Sequence, residues 1–565
     1  MEIDTLSIIL LLLIILFTIL SIKDVPNPDV HPLILTSQAD VARIRHPGET
    51  AIYRSNLALH GMALLSNPEK GVKTIADLFK AGASQGDKFL GVRGPDSLYT
   101  WQTYDEITRR LSNFGSGLIE FTGLTPKTQN MFGILMNSRP EWVIADLASH
   151  HYSLVIVALP SIRPQLSDII NEIKQTGITS VIASKDTLSL VLSAAPSCGS
   201  LKYIVVAETE IPSDQKSKIE ASGLVLKTFA EVEELGARKL LDHVLPEPDD
   251  TATIVYSSGI TSGHPKGIEL THKASIFESN IVANVAGLSA AMSTLKTTST
   301  DRHLSYLPLA QIFERIVVIT MMFKGASIAF YRGDVSKVLD DAHAAQPTIF
   351  TVTPRFLTKY HEQIMQQYGN DYLFNKGMNA KKAQLKKGRL LVGSIWDVLV
   401  FNKIKVLFGG KVRAAVCSAG PVSQTLLDFL RITAGCQVIQ LYGLTQCSGA
   451  VTANAVYDYQ AADPLGHESH AGGPLPCNEI KLINYEEKAY TVEDQPNPRG
   501  EICVRGPNVM KSYYKQREVT AQIIDSDGWL HTGDIGMILP NGTLRIIDRK
   551  MEFDLRQTAQ SIDAH

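Results

Sequence analysis

Apolar residues are distributed along this chain in two ways. Residues 6–22, LSIILLLLIILFTILSI, form one run without a charge. Beyond it, short apolar runs alternate with amphipathic stretches. Residues 153–159 (SLVIVAL), 180–183 (SVIA) and 201–207 (LKYIVVA) are short and rich in β-branched side chains. That pattern predicts buried strands. Residues 101–118 and 168–176 space their apolar side chains as one face of a helix does. The alternation resumes with strand-like runs at 326–331 and 348–352 and a helical pattern at 335–344. Strands separated by helices predict parallel α/β sheets. Residues 362–406 read as a Lys-rich, helix-favouring insertion, and Lys381, Lys382, Lys386 and Lys387 are expected on a solvated face. From about residue 470 the segments shorten and turn signals crowd in, as in Pro498-Arg499-Gly500 and Pro540-Asn541-Gly542. This predicts a smaller β-rich subdomain over about 470–547.

The N-terminal run changes the picture first. As a helix it reaches roughly 25 Å, at the short end for a bilayer core. A cleaved signal peptide would carry a basic leader and a small-residue exit. Here Glu2 and Asp4 precede the run, and Ser21-Ile22-Lys23-Asp24 follows it. Residues 1–23 are therefore expected to be an uncleaved membrane anchor. Lys23, Arg43 and Arg45 lie after it, which places the body in the cytosol. Residues 24–75, Pro-rich and then irregular, read as a linker and lead-in.

Composition adds exclusions. The chain has 565 residues, 44% hydrophobic and 20% charged, with a formal net charge of −3. This is an ordinary globular balance, with no basic excess that would call for nucleic acid. Six cysteines show no CxxC pair, which fits free thiols in a reducing compartment.

The chemistry concentrates in residues 256–267, YSSGITSGHPKG, directly after the apolar Thr253-Ile254-Val255. Small residues let backbone N–H groups approach an anion, hydroxyls add donors, and Lys266 supplies a point charge. That is the composition of a loop around a polyphosphate. It is not a Walker loop, which needs Gly-Lys-Ser/Thr in succession. An ordinary flexible turn is the alternative for this segment taken alone.

Three further segments follow in order. Tyr442-Gly443-Leu444-Thr445-Gln446 comes after an apolar run, GWLHTGD ends in Asp534, and Ile546-Ile547-Asp548-Arg549 lies near the C-terminus. Together with the loop they resemble the signature segments of the adenylate-forming superfamily. YLPLAQIFER at 306–315, GASIAFYRGD at 325–334, Gly473-Pro474-Leu475-Pro476-Cys477 and GEICVRGPNVM at 500–510 resemble its long-chain fatty acyl-CoA synthetase branch. The resemblance covers roughly residues 75–550. It implies an α/β fold: a large N-terminal adenylation domain over 76–550, made of two α/β subdomains plus the β-rich one, preceded by one transmembrane helix. It also implies a two-step reaction. ATP and a long-chain fatty acid give acyl-AMP, and coenzyme A then displaces AMP, with Mg²⁺ as cofactor. By position, Ser257, Ser258, Gly259, Thr261, Gly263 and Lys266 hold the outer phosphates. Tyr442 and Gly443 lie at the adenine with Ala419, Gly420 and Pro421 flanking. Thr445 contacts the α-phosphate, Asp534 the ribose hydroxyls, and Arg549 assists there. Thr261 and Gln446 are the implied metal ligands. Lys266, Thr445, Gln446 and Gln311 form the implied catalytic set. The acyl tail is expected in a tunnel partly lined by residues 320–333. The resemblance to this branch further implies a single-pass protein of the endoplasmic reticulum or a related membrane.

Four departures accompany the resemblance. Gln446 stands where the family carries a Mg²⁺-binding Glu, so the ion is expected to bind more weakly. Gln311 stands where it carries His, which removes a titratable group. The phosphate loop has one extra residue near Ser262. Only residues 551–565 follow Lys550, a divergent tail in place of the family's small C-terminal domain with its catalytic lysine. The alternative these departures carry is a non-catalytic relative that binds nucleotide or acyl chains. A peptide-synthetase type of adenylation is disfavoured by the anchor.

Overall fold

The computed structural model describes residues 29, 36–42, 44–128, 130–161, 164–211, 213–257, 265–272, 281–460 and 469–549. The predicted anchor over 6–22 and the tail over 551–565 lie outside these. Among the described residues no helix is long and apolar enough to cross a membrane.

Three sheets organise the chain. The first has eight strands, in the order Ser512–Tyr513, Gly267–Thr271, Thr251–Tyr256, Val155–Ala158, Met131–Leu135, Ser180–Ala183, Tyr203–Val206 and Val225–Thr228. Its last six strands run parallel. Nearly every side chain in the inner strands is buried, as expected when helices cover both faces. The second sheet has nine strands and a parallel centre, with Gln437–Leu444, Ala414–Cys417, Ile349–Val352 and Arg302–Ser305 side by side. The third is six-stranded and antiparallel throughout. It gathers Ala39–Val41 and Tyr53–Ser55 with Glu479–Ile483, Arg499–Arg505, Leu530–Ile538 and Leu544–Arg549. The lead-in thus supplies two strands to a sheet otherwise built from the C-terminal part.

The helix predicted over 101–118 begins later, at Tyr104, and runs to Thr122. Residues Tyr99–Thr103 pair instead with Lys88–Arg93. Thr103 ends that strand and caps the helix: its hydroxyl accepts from the Glu106 backbone N–H, and the Glu106 side chain accepts from the Thr103 N–H. This reciprocal box satisfies two helix-start donors, so the switch of periodicity falls there.

A second correction concerns the lysine-rich insertion. Lys381 is not solvated. It is 1% exposed, and its ammonium lies 2.6 Å from Asp397. Lys405 reaches the same carboxylate at 2.6 Å, and Ser394 donates to it through both its backbone N–H and its hydroxyl. A buried ammonium needs such a partner. Lys382 and Lys386 are exposed as expected.

The helix Ile312–Phe323 runs between the two large sheets and is buried along almost its whole length. Glu314 reaches the nine-stranded sheet, with His303 Nε2 at 2.8 Å and a hydrogen bond from Thr351 Oγ1 at 3.0 Å. Arg315 reaches the other way. It binds Asp146 through Nε at 3.2 Å and through a second nitrogen, and it donates to Thr253 Oγ1 at 2.8 Å. Thr253 lies on the strand that leads into the candidate phosphate loop.

Candidate active site

The strand Thr251–Tyr256 ends at Ser257, and the antiparallel strand Gly267–Thr271 leaves from the other side of the loop. The neck between them is closed by two hydrogen bonds. Ser257 N–H donates to the Lys266 carbonyl at 3.0 Å, and Lys266 N–H donates to Ser257 Oγ at 3.2 Å. Ser258, Gly259, Thr261 and Gly263 lie outside the described residues. The Lys266 ammonium stands 5.2 Å from the centre of the Tyr513 ring, a cation–π distance.

Tyr513 also ties in Gln446, whose side-chain N–H donates to the Tyr513 hydroxyl at 3.1 Å. Burial raises the pKa of that phenol, so it stays neutral. Nothing in the sequence marked Tyr513. It arrives because Ser512–Tyr513 adds to the edge of Gly267–Thr271, with Tyr513 opposite Ile268.

Tyr442 and Gly443 lie on the strand Gln437–Leu444 and Thr445 in the turn after it. Gly443 is required by close approach. A Cβ there would stand 1.9 Å from the Gly449 carbonyl oxygen of the partner strand. Ala419 and Gly420 form the turn after Ala414–Cys417. Ala419 adopts φ 68°, a left-handed conformation uncommon for a residue with a Cβ.

Asp534 joins two sheets. Its carboxylate accepts from the Tyr442 hydroxyl at 2.8 Å and from Arg549 Nε at 2.6 Å. Antiparallel register places Asp534 directly opposite Arg549. Asp534 is 2% exposed, so a charged donor on one oxygen and a neutral donor on the other are what make its burial tolerable. Burial, then the Asp534 charge, push the Tyr442 phenol well above its ordinary value.

All described candidates border one cavity of ≈ 1540 Å³: Ser257, Lys266 and Gln311; Ala419, Gly420 and Pro421; Tyr442, Gly443, Thr445 and Gln446; Asp534 and Arg549. Single-ligand pockets hold roughly 300–1,000 Å³, so this one has room for more than one substrate. Gln311 caps the helix Ile312–Phe323, and its exposed side chain faces the cavity. The expected contribution of residues 320–333 is absent from this wall. Thr320, Met321 and Lys324 border a separate cavity of ≈ 160 Å³ instead.

His531 and Glu172 are among the titratable groups in the wall that were not singled out from sequence. His531 lies between Glu501, 3.8 Å away, and Asp525, 3.4 Å away. Glu501 chiefly raises its pKa, against burial, with Asp525 adding. Glu172, on the helix Leu166–Thr176, is 2% exposed. Among the described residues no group of three or more His, Cys, Asp or Glu side chains is placed to hold a metal. The six cysteines are free and buried.

The AMP-binding enzyme family profile matches residues 79–514. The chain belongs to that family. It is 37% identical over 500 residues to long-chain-fatty-acid–CoA ligase 6 of Rattus norvegicus, covering 86% of this chain and 68% of that protein. It is 38% identical to long chain acyl-CoA synthetase 7, peroxisomal, of Arabidopsis thaliana, over 82% of this chain and 64% of that one. The fold matches the solved long-chain-fatty-acid-CoA ligase FadD1 of Archaeoglobus fulgidus with a TM-score of 0.64 at 18% identity, covering 87% of this chain and 86% of that one. It also matches the A domain of a carboxylic acid reductase from Segniliparus rugosus, solved with AMP and a carboxylic acid. There the TM-score is 0.64 at 20% identity, over 86% and 76% of the two chains.

Proposed function

We propose that this chain is an ATP-dependent ligase that activates long-chain fatty acids, first as acyl-AMP and then as acyl-CoA. The observation that carries this reading is the convergence on one cavity. Candidate residues from six separate segments meet there, among them a lysine at the neck of a Gly/Ser-rich loop and a carboxylate held by Tyr442 and Arg549.

In the first step a carboxylate oxygen forms a bond to the α-phosphorus of ATP. The bond from that phosphorus to the bridging oxygen breaks, and pyrophosphate leaves with its electrons. Lys266 offers positive charge to the outer phosphates. Thr445 can donate to the α-phosphate. Asp534 accepts from the two ribose hydroxyls on lone pairs left by Tyr442 and Arg549. In the second step the thiol sulfur of coenzyme A attacks the acyl carbonyl carbon, the bond to AMP breaks, and the thiol proton passes to solvent. Mg²⁺, when bound with ATP, would neutralise phosphate charge. Gln446 can lend it one neutral oxygen, since its nitrogen is turned to Tyr513.

Gln446 favours a second reading, nucleotide binding without turnover, because it brings no charge to the metal. Pyrophosphate release by the purified full chain, given ATP, Mg²⁺ and a long-chain fatty acid, separates the two. Release above a Lys266→Ala control supports the ligase; ATP binding without release supports the second reading.

The uncharged residues 6–22 support a single-pass anchor in the endoplasmic reticulum or a related membrane, with the cavity on the cytosolic side. Alkaline carbonate extraction tests this: an anchored chain stays with the membranes, and a peripheral one is released.

A further inference from the structure

Glu172 lies in the wall of the large cavity, near the end of the strand Thr251–Tyr256. It is 2% exposed, and neither carboxyl oxygen has a hydrogen-bond partner. Ser161 Oγ, in the same wall, is likewise buried without a partner. Buried polar atoms without partners are rare in folded proteins, and in a cavity wall they point to a ligand.

The surroundings decide which protonation state Glu172 holds. Asp168, from its own helix, adds like charge. From the neighbouring strand it faces Tyr256, whose phenol donates to Gln175 Oε1 at 2.8 Å. Lys515 spends its ammonium on the Gln175 carbonyl at 3.0 Å, at the far end of the helix. Lys185 and Asp186, on the adjacent helix Lys185–Ala194, are exposed. Among the described residues no cation offsets the charge of Glu172. Burial first, and Asp168 second, push it up to about 9. At neutral pH it is an uncharged acid with one proton to donate.

Tyr256 immediately precedes Ser257, so Glu172 sits beside the strand end that delivers the candidate phosphate loop. We propose that Glu172 donates a hydrogen bond, as a neutral acid, to an anionic phosphate oxygen of the bound nucleotide, and thereby couples nucleotide binding to proton uptake. This rests on the nucleotide-site reading given above. The ionised form would repel the same oxygen, so binding and protonation favour each other.

The test is the affinity of the full chain for ATP and for AMP between pH 7 and 10, with the Glu172→Gln variant alongside. Gln keeps an uncharged donor and cannot ionise. Wild-type affinity is expected to fall about tenfold per pH unit above the Glu172 titration, and the variant to lack that fall. A fall with both nucleotides assigns the contact to the α-phosphate; a fall with ATP alone assigns it to the outer phosphates. Parallel profiles for the two proteins overturn the proposal while leaving the nucleotide site standing. Failure of both proteins to bind ATP at any pH overturns both. A second measurement needs no variant. Calorimetry of ATP binding at pH 9, in two buffers of different ionisation enthalpy, should show uptake of about half a proton; zero uptake overturns the proposal.

Discussion

Glu314 and Arg315 are adjacent and oppositely charged, yet each is paired to a different sheet. Glu314 is bound to His303 and Thr351 on the nine-stranded sheet, and Arg315 to Asp146 and Thr253 on the side of the eight-stranded one. Both are fully buried, at 0% and 1% exposure. The helix that carries them is capped by Gln311, which borders the cavity, and so holds one wall of the cavity against two sheets at once.

Removing one side of that arrangement leaves a buried charge uncompensated. Arg315→Met should destabilise the protein by about 3–5 kcal/mol, read from urea unfolding. Burial opposes ionisation of Asp146, but Arg315 and then His150 outweigh it and hold its carboxyl at about 2. Its contribution is therefore present above the unfolded value of about 3.9 and is lost as pH falls through about 2. In Arg315→Met the acid transition should move to higher pH. An unchanged acid limb would remove Arg315 as the cause.

The Asp534 carboxylate is expected to bind the ribose. Asp534→Ala should weaken ATP binding by about 1.5–3 kcal/mol, the range for hydrogen bonds to a charged group. Tyr442→Phe should cost less, since Arg549 still holds Asp534. Equal affinities across the three proteins, measured by calorimetry, would take Asp534 out of the site.

Gln446→Glu places a carboxylate where the Tyr513 hydroxyl can turn to donate to it. The expected result is tighter Mg²⁺ dependence, seen as saturation of ATP binding at lower Mg²⁺. A carboxylate brings charge that an amide does not. If the Mg²⁺ titrations superimpose, residue 446 is not a ligand.

His531 should titrate above the ordinary histidine value, because Glu501 and Asp525 favour its charged form more than burial disfavours it. The sign follows from a folded value raised above the unfolded one. The stabilisation is complete below about 6.5 and is lost as pH rises through the raised value. Glu501→Gln should bring the imidazole titration, followed by NMR, back down. A titration that stays put would place the cause elsewhere.

Much of this was legible along the chain. The run at 180–183 is the strand Ser180–Ala183, and 348–352 contains Ile349–Val352. Such elements are set by local periodicity, and burial on both faces makes that signal strong. Residues 101–103 misled because Trp101 fits a helical spacing equally well; pairing with Lys88–Arg93 settled it. Lys381 misled because charge is read as exposure unless its partner is visible, and Asp397 lies in a different element.

The site divides in the same way. Lys266 was marked by the composition of its own loop, whereas Tyr442, Thr445, Asp534 and Arg549 were marked only by the resemblance of their short segments to those of the adenylate-forming family. Their convergence on one cavity, the role of Tyr513 between Lys266 and Gln446, and the unpartnered acid at Glu172 were not readable. Those depend on which strands become neighbours and on how much water burial removes. Both are properties of distance and dielectric in the folded chain. Local order carries the propensities and the chemical groups, while long-range packing chooses their partners and, through them, their charge states.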